Sequence, residues 1–477
     1  DLVENLQSEG LYYVDLLDAG DLASDPINTE DIWVSFDFSG RDLSGNIILT
    51  RNADDAVLAG SFSKYTHYVP FYRYCGSENS GLMEGTWLAM RRTLTLGDTY
   101  FRNNKDRLGI TSPEVTLRYG SKIRLYMPSS VVGNGVEGTG GYEGQEGYSL
   151  SSKRPFIVTM EIRDTVSNPL EREGTDVDDF CELNGGLQIY SKGDDDTPAT
   201  EVPEDPEDPE HPYNETSKRW VSACDSIPQV YVNVRYNPAE PGDQLSFPAP
   251  YHVGYEPYVS EASVRDIDMQ IAEALKKRFH GEGDDYEKYE GVKKLEADSV
   301  TLEGTAKIWY IGRFLDGFIF DTNIDEVKKI IYGEVAQTGT ALEYTPSSGG
   351  MIQAFYYAIP NLKFGQWAEL ITTSTNAYGS SGKSGSSSSS TSGASGYSSS
   401  YLDYLNYLNY ANSYYGSGGY YGGYYGGYYG SYYGGYYDSM YGSGYDSSST
   451  GTTVTTITTE IPSFTPLIFQ LYIEPED

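Results

Sequence analysis

The sequence predicts an α+β protein with two modules, each an antiparallel β-sheet wrapped over a short helix, joined by an acidic, Pro-rich linker. Three observations carry this. A pattern of strand, glycine turn, strand, helix and further strands occurs twice along the chain. Between the copies lies "GDDDTPATEVPEDPEDPEHPYNE" (Gly193–Glu215), where Pro recurs at three-residue steps among carboxylates. Such a segment stays extended and repels itself. The strand "PLIFQLYIEPED" (Pro466–Asp477) alternates with period two and puts Leu467, Phe469, Leu471 and Ile473 on one face.

The repeat is degenerate but ordered. "VSFDFSGRDLSGNII" (Val34–Ile48) parallels "AKIWYIGRFLDGFIF" (Ala306–Phe320), each a strand, a Gly turn and a second strand. "GLMEGTWLAMRRTLTLG" (Gly81–Gly97) parallels "GGMIQAFYYAIPNLKFG" (Gly349–Gly365), each a short amphipathic helix ending near Gly. "GSKIRLYMPSSVVG" (Gly120–Gly133) parallels "GQWAELITTSTNAYG" (Gly365–Gly379), and "PFIVTMEIRD" (Pro155–Asp164) parallels Pro466–Asp477.

Between the copies, "SVRDIDMQIAEALKKRF" predicts a packing helix. Ser263 is its N-cap, Asp266 completes the capping pattern, and Val264, Ile267, Ile271 and Leu275 form one face. Lys276, Lys277 and Arg278 complement the dipole at its end. "PQVYVNVRY" reads as a strand that the sequence assigns to neither copy. The expected units are residues 1–165 (first module), 166–218 (linker), 219–284 (connecting strand and helix) and 285–477 (second module). A low-complexity insertion occupies 380–459 of the last.

That insertion opens Gly/Ser-rich, passes through Tyr401, Tyr404, Tyr407 and Tyr410 at a three-residue period, and continues as the Tyr-Tyr-Gly-Gly array of Gly418–Tyr437. It closes on the β-prone "TGTTVTTITTE". Tyrosine rings on a flexible backbone suit weak, many-point contact with extended chains.

A formal net charge of −36 over 477 residues excludes nucleic acid and anionic membrane surfaces, which need clustered Lys and Arg. No run approaches the ~20 apolar residues of a membrane helix. The chain opens on Asp1, not Met, which is read as numbering after a removed signal. Cys75, Cys181 and Cys224 form no metal or redox motif; they allow one disulfide and leave one thiol over. His67, His211, His252 and His280 are scattered without ligand spacing. A carboxylate-bound calcium in the Pro-rich segment is disfavoured by the Pro spacing and the lack of a Gly turn. "GNGVEGTGGYEG" (Gly133–Gly144) lacks the strand-to-helix context of a phosphate loop and reads as the first copy's loop over its groove.

With "YIGRFLDGFIFD", "FGQWAELITTSTNAYG" and "IPSFTPLIFQLYI" in this order, the second copy, roughly Ala306–Ile473 less the insertion, resembles the FKBP-type peptidyl-prolyl cis-trans isomerases. The first copy resembles the same family with its signature eroded. The resemblance places the insertion in the loop that overhangs the substrate groove. It implies an aromatic wall of Tyr310, Phe320 and Phe469 and a floor at Phe355, where the family most often has Trp. Leu342 stands where the family usually has Phe. Met351 and Ile352 would line the rim, with the Ile352 amide as a donor, and Ile461 would close the far side. Tyr378 would donate to a substrate carbonyl, and Asp321 would sit beside the twisting one. Asp321, Tyr378 and Phe355 are thus the expected catalytic residues. In the first copy Phe38, Ile48, Leu49, Thr86 and Gly133 take the places of Tyr310, Phe320, Asp321, Phe355 and Tyr378. The resemblance implies no metal and no cofactor.

Two functions follow. One is an extracytoplasmic isomerase and chaperone, in the periplasm or at the outer membrane or cell surface of a bacterial envelope, with a lipid anchor compatible. Its partners would be proline-containing clients gripped by the Tyr/Gly insertion. The alternative is a non-catalytic subunit of an outer-membrane secretion or insertion complex, contacted through the insertion. Tyr378 and Asp321 favour the first; the acidic linker, the eroded first copy and the size of the insertion favour the second.

Overall fold

The computed structural model describes residues 13–60, 62, 65–70, 72–78, 82–132, 136–137, 149–150, 155–188, 219–224, 226–237, 261–280, 298–333, 335, 338–383, 386–389 and 455–475. The Tyr/Gly array, the segment Gly193–Glu215 and most of Gly133–Gly144 lie outside these residues.

The first sheet is built from β1 (Tyr13–Ala19), β2 (Ile32–Arg41), β3 (Ile47–Thr50), β4 (Tyr72–Cys75), β5 (Ser121–Met127) and β6 (Phe156–Val166). Among the described residues, helices α1 (Ala53–Leu58), α2 (Glu84–Arg91) and α3 (Asp98–Leu108) accompany it. The strand order is β1-β5-β6-β2-β3, with β4 also on β2, all antiparallel.

The second sheet gathers β7 (Leu187–Gln188), β8 (Trp220–Ser222), β9 (Val230–Tyr236), β10 (Ala306–Phe314), β11 (Ile319–Thr322), β12 (Leu342–Tyr344), β13 (Trp367–Thr372) and, after the ladder of β14 (Ser386–Ser389) and β15 (Thr455–Thr458), β16 (Leu467–Ile473). Its order is β7-β8-β9-β13-β16-β10-β11, with β12 on β10. From β9 onward this is the neighbour pattern of the first sheet, strand for strand. The match reaches single residues. Gly40 opposes Leu49 and Gly312 opposes Asp321, and in both sheets the register slips at the following Arg. Each glycine lies beneath a phenyl ring: a Cβ on Gly40 would run into Phe156, and one on Gly312 would come within 2.6 Å of Phe320.

The described helices of the second half are α4 (Pro169–Leu183), α5 (Glu261–His280), α6 (Asp325–Tyr332) and α7 (Gln353–Ala358). The inner face of the second sheet packs on α7 through Ala354, Phe355 and Ala358, against Leu467, Phe469, Leu471 and Ile473. Its outer face is also covered. Val177, Phe180 and Cys181 of α4 meet Trp220, Ile371 and Ile468, while Ile271 and Leu275 of α5 meet Trp309, Trp367 and Tyr472. Between these two patches runs a polar chain across the strands. Arg235 Nε donates to Glu369 (2.6 Å), Gln470 Nε2 donates to Glu369 (3.1 Å), and Arg313 donates to Gln470 (3.0 Å) and to Asp268 of α5 (2.7 Å). Glu369 and Arg313 are fully buried, and this chain satisfies them.

Two expectations are revised here. Residues 219–284, expected only to connect the modules, supply β8, β9 and α5 to the second sheet, so the strand "PQVYVNVRY" has its place beside β13. The range 166–218, expected as extended linker, opens with the helix α4, nucleated by Asn168 as N-cap and Pro169 in the first turn. The physical reason is shared: β13 and β16 are buried along both faces, and the apolar residues of the outer face, Trp367, Ile371, Ile468 and Tyr472, need cover. Helix α5 starts at Glu261, so Ser263 lies inside its first turn and is not its cap. Cys75, Cys181 and Cys224 are not joined in a disulfide, and burial raises the Cys75 thiol to about 11. No helix among the described residues is long and apolar enough to cross a membrane.

Candidate active site

Phe469 is the hub of the inner face. Because β16 alternates, its odd residues face α7, and Phe469 meets three rings edge-on. Phe355 lies at 5.0 Å, Phe320 at 5.7 Å and Tyr310 at 6.4 Å between centroids. Phe355 is fully buried at the heart of α7. Phe320 is positioned by Gly312, whose missing side chain lets the ring lie over the strand.

The polar members sit around this aromatic floor. The Tyr310 hydroxyl donates to Asp321 Oδ2 at 2.9 Å. Both residues flank Gly312, one on β10 and one opposite it on β11. Burial, then the Asp321 charge, push the Tyr310 phenol far above its ordinary value, so it is a fixed donor. Asp321 is exposed. Tyr378 follows β13 through the 3-10 turn Ser374–Asn376 and packs half-buried on the same cluster. Its hydroxyl has no partner among the described residues, and Lys383 Nζ lies 5.4 Å from its ring centre. Ile352 is the N-cap of α7; its carbonyl accepts from Phe355 N–H (3.0 Å), while its own N–H has no partner among the described residues.

Ile461 is buried in the cluster and exchanges both backbone hydrogen bonds with Lys383, at 2.7 and 2.9 Å. This bridge and the β14–β15 ladder close the base of the insertion. Gly382 must be Gly there: its φ is +63°, and a Cβ would strike the Ile461 carbonyl.

Of the residues expected at the site, Tyr310, Phe320, Leu342, Ile352, Phe355, Tyr378, Ile461 and Phe469 belong to one hydrophobic cluster. Asp321 joins through Tyr310, and Met351 stands exposed beside Ile352. Two neighbours went unread. Phe314 lies 5.1 Å from Phe320, and Tyr344 lies 5.9 Å from Phe355. The alternation Tyr310, Gly312, Phe314 along β10 is the signal that would have found the first.

In the first sheet the register puts Phe38 at the place of Tyr310 and Leu49 at that of Asp321. The helix caps Met83 and Ile352 correspond, which puts Thr86 at the place of Phe355. No carboxylate stands at Leu49. Gly133 is outside the described residues. Among the described residues no group of His, Cys, Asp and Glu could hold a metal ion.

No family model matches this chain, and no curated protein matches it. Solved structures do align. The crystal structure of the three FKBP domains of wheat FKBP73 aligns over 100% of this chain and 98% of its own, with 9% identity and a TM-score of 0.21. A peptidyl-prolyl cis-trans isomerase from Pseudomonas syringae pv. tomato aligns over 38% of this chain and 66% of its own, with 14% identity and a TM-score of 0.17. FkpA from Escherichia coli aligns over 34% of this chain, which spans 55% of FkpA, with 12% identity and a TM-score of 0.19. TM-scores of this size carry no functional argument, which is left to the site itself.

Proposed function

We propose that the inner face of the second sheet is a peptidyl-prolyl cis-trans isomerase site. The observation that carries this is the gathering, around the Phe469 hub, of an aromatic floor with two donors that have no partner among the described residues, the Tyr378 hydroxyl and the Ile352 N–H. Rotating an X-Pro bond needs no nucleophile. The barrier of about 18–20 kcal/mol is amide resonance, and it falls where the twisted amide is bound better than the planar one. A twisted amide has less charge separation, so an apolar floor favours it. Tyr378 and Ile352 would hold flanking carbonyls, and Asp321, which accepts from Tyr310, would fix the ring wall beside the twisting bond.

The first unit, with Leu49 in place of Asp321, is read as a binding or assembly module. The Tyr/Gly insertion is read as a grip for proline-containing clients outside the cytoplasm, and the chain as a folding or export factor. Docking of a larger envelope complex to the insertion is the second reading. It is favoured by the first unit's lack of the carboxylate.

The test is isomerisation of a short X-Pro peptide by the full chain. Wild type is expected well above the uncatalysed rate, which takes tens to hundreds of seconds. Tyr378→Phe and Asp321→Leu should each lower it by about fivefold or more, the worth of one hydrogen bond. A wild-type rate equal to buffer would remove the catalytic reading and leave the docking one.

A further inference from the structure

We propose that Glu173 is a positioning residue for Tyr378, acting through Ser374; this rests on the isomerase reading of the Tyr378 site. Glu173 lies on α4, which comes from between the two repeats and corresponds to nothing in the first sheet's strand pattern. Its side chain is 3% exposed. One carboxylate oxygen accepts the Ser374 N–H at 2.6 Å, and the other accepts the Ser374 hydroxyl at 2.7 Å. Ser374, itself buried, opens the 3-10 turn after β13, and its carbonyl accepts the Ala377 N–H at 2.9 Å. Tyr378 is the next residue. The two Glu173 bonds therefore fix the first residue of the turn that delivers the Tyr378 hydroxyl.

The helix is seated closely at this point. A Cβ on Gly174 would come within 3.1 Å of the Gln229 amide, and the Gln229 carbonyl accepts from Thr373, the residue before the turn. A buried carboxylate is a costly way to cap a turn, because no cation among the described residues pairs with it. A Gln would hold the backbone N–H without burying charge. A carboxylate differs from Gln in accepting both Ser374 donors at once, and in titrating.

Burial raises the Glu173 carboxyl to about 7, against the two Ser374 bonds that lower it, with the Asp176 charge adding to the rise. Among the charged groups on the elements packed here, Asp176 pairs with Arg172 at 2.9 Å, Glu369 of β13 pairs with Arg235 of β9 at 2.6 Å, and Asp178 accepts from the Tyr231 hydroxyl at 2.8 Å; Glu171, Asp179 and Glu182 are the further carboxylates of α4. As the carboxyl takes up a proton, one oxygen becomes a donor and the double acceptor is lost. Isomerisation has no proton-transfer step of its own, so a titrating rate reports the protein.

The experiment is the kcat/KM of the full chain for an X-Pro peptide without titratable groups, from about pH 5.5 to about pH 8.5. Wild type should lose about fivefold on acidification, the worth of one hydrogen bond, with a midpoint near 7. Glu173→Gln should give a flat, lowered profile, and so should Ser374→Ala. His67→Gln should keep the acid limb. A flat wild-type profile, or a limb that survives Glu173→Gln, overturns the proposal. Hydrogen exchange of residues 373–379, corrected for intrinsic pH dependence, separates this from the isomerase reading. Protection that rises through neutral pH in wild type and is constant in Glu173→Gln upholds the Glu173–Ser374 control even in a chain without isomerase activity. Unchanged protection removes it.

Discussion

Arg51, buried just past the third strand of the first sheet, donates from Nη1 to Glu460 Oε2 at 3.0 Å. Glu460 immediately precedes Ile461, so a residue of the first unit holds the chain where it returns from the insertion to the candidate site. The contact is broader than one pair. Thr459 donates to the Tyr65 carbonyl at 2.6 Å, and Trp33 meets Phe464 edge-on at 4.6 Å. His67 stacks on Phe318 at 4.4 Å and on Phe314 at 4.9 Å, and Phe314 in turn touches Phe320. His67 Nε2 is 2.7 Å from Asp316 Oδ2, a contact that becomes a hydrogen bond only when Nε2 carries the proton.

The asymmetry of the Arg51–Glu460 pair sets the first prediction. Arg51 is 4% exposed and Glu460 22%. Glu460→Gln removes the charge partner of a buried guanidinium, which keeps its bonds to the Val69 carbonyl, and should cost about 2–3 kcal/mol, whereas Arg51→Gln leaves a carboxylate that can hydrate and should cost about 1 kcal/mol. Urea denaturation measures both. Equal costs, or none, would show that the pair does not fasten the loop.

Gly312 and Gly40 occupy one repeat position but serve different surroundings. Gly312→Ala should displace the Phe320 ring and Gly40→Ala the Phe156 ring, each destabilising by about 1–3 kcal/mol through overpacking. Only Gly312→Ala should also lower isomerisation, because Phe320 belongs to the candidate site. Thermal melts beside peptide assays decide this; an equal loss of activity from Gly40→Ala would contradict it.

Glu173 also predicts a pH dependence of stability. Its folded pKa is about 7 against an ordinary 4.5, so the folded chain holds a proton that the unfolded chain has released. Below the ordinary value both forms are neutral and nothing is lost. Stability then falls as pH rises through the window between the two values, and the full penalty persists above it. The wild type should lose about 3 kcal/mol relative to Glu173→Gln across that window, measured by chemical denaturation at matched pH. A difference constant with pH would rule out the raised carboxyl.

The residues of the candidate site were expected from the family resemblance, and local rules explain why they meet. Alternation in β16 points Phe469 inward, the glycine before Arg313 admits Phe320, and the register across that glycine faces Asp321 toward Tyr310. The strand–turn–strand part of the repeat was visible in the sequence, because Leu49 follows Gly40 by the same number of residues as Asp321 follows Gly312.

What covers each sheet was decided only in three dimensions. One cross-strand triple is Asp37, Glu161 and Lys122 in the first sheet and Trp309, Tyr472 and Trp367 in the second. The first triple carries the Lys122–Glu161 ion pair at 2.9 Å, with Arg163 bridging Glu161 and Asp37. The second lies beneath Phe279 of α5, with the Arg278 guanidinium 4.2 Å from the Trp309 ring centre. An apolar strand face states that it will be buried and leaves open which helix buries it. The covering helices α4 and α5 come from the stretch between the repeats. Glu173 meets Ser374 from 201 residues away, a pairing that no local pattern encodes, because it exists only once the outer face of the second sheet has been closed.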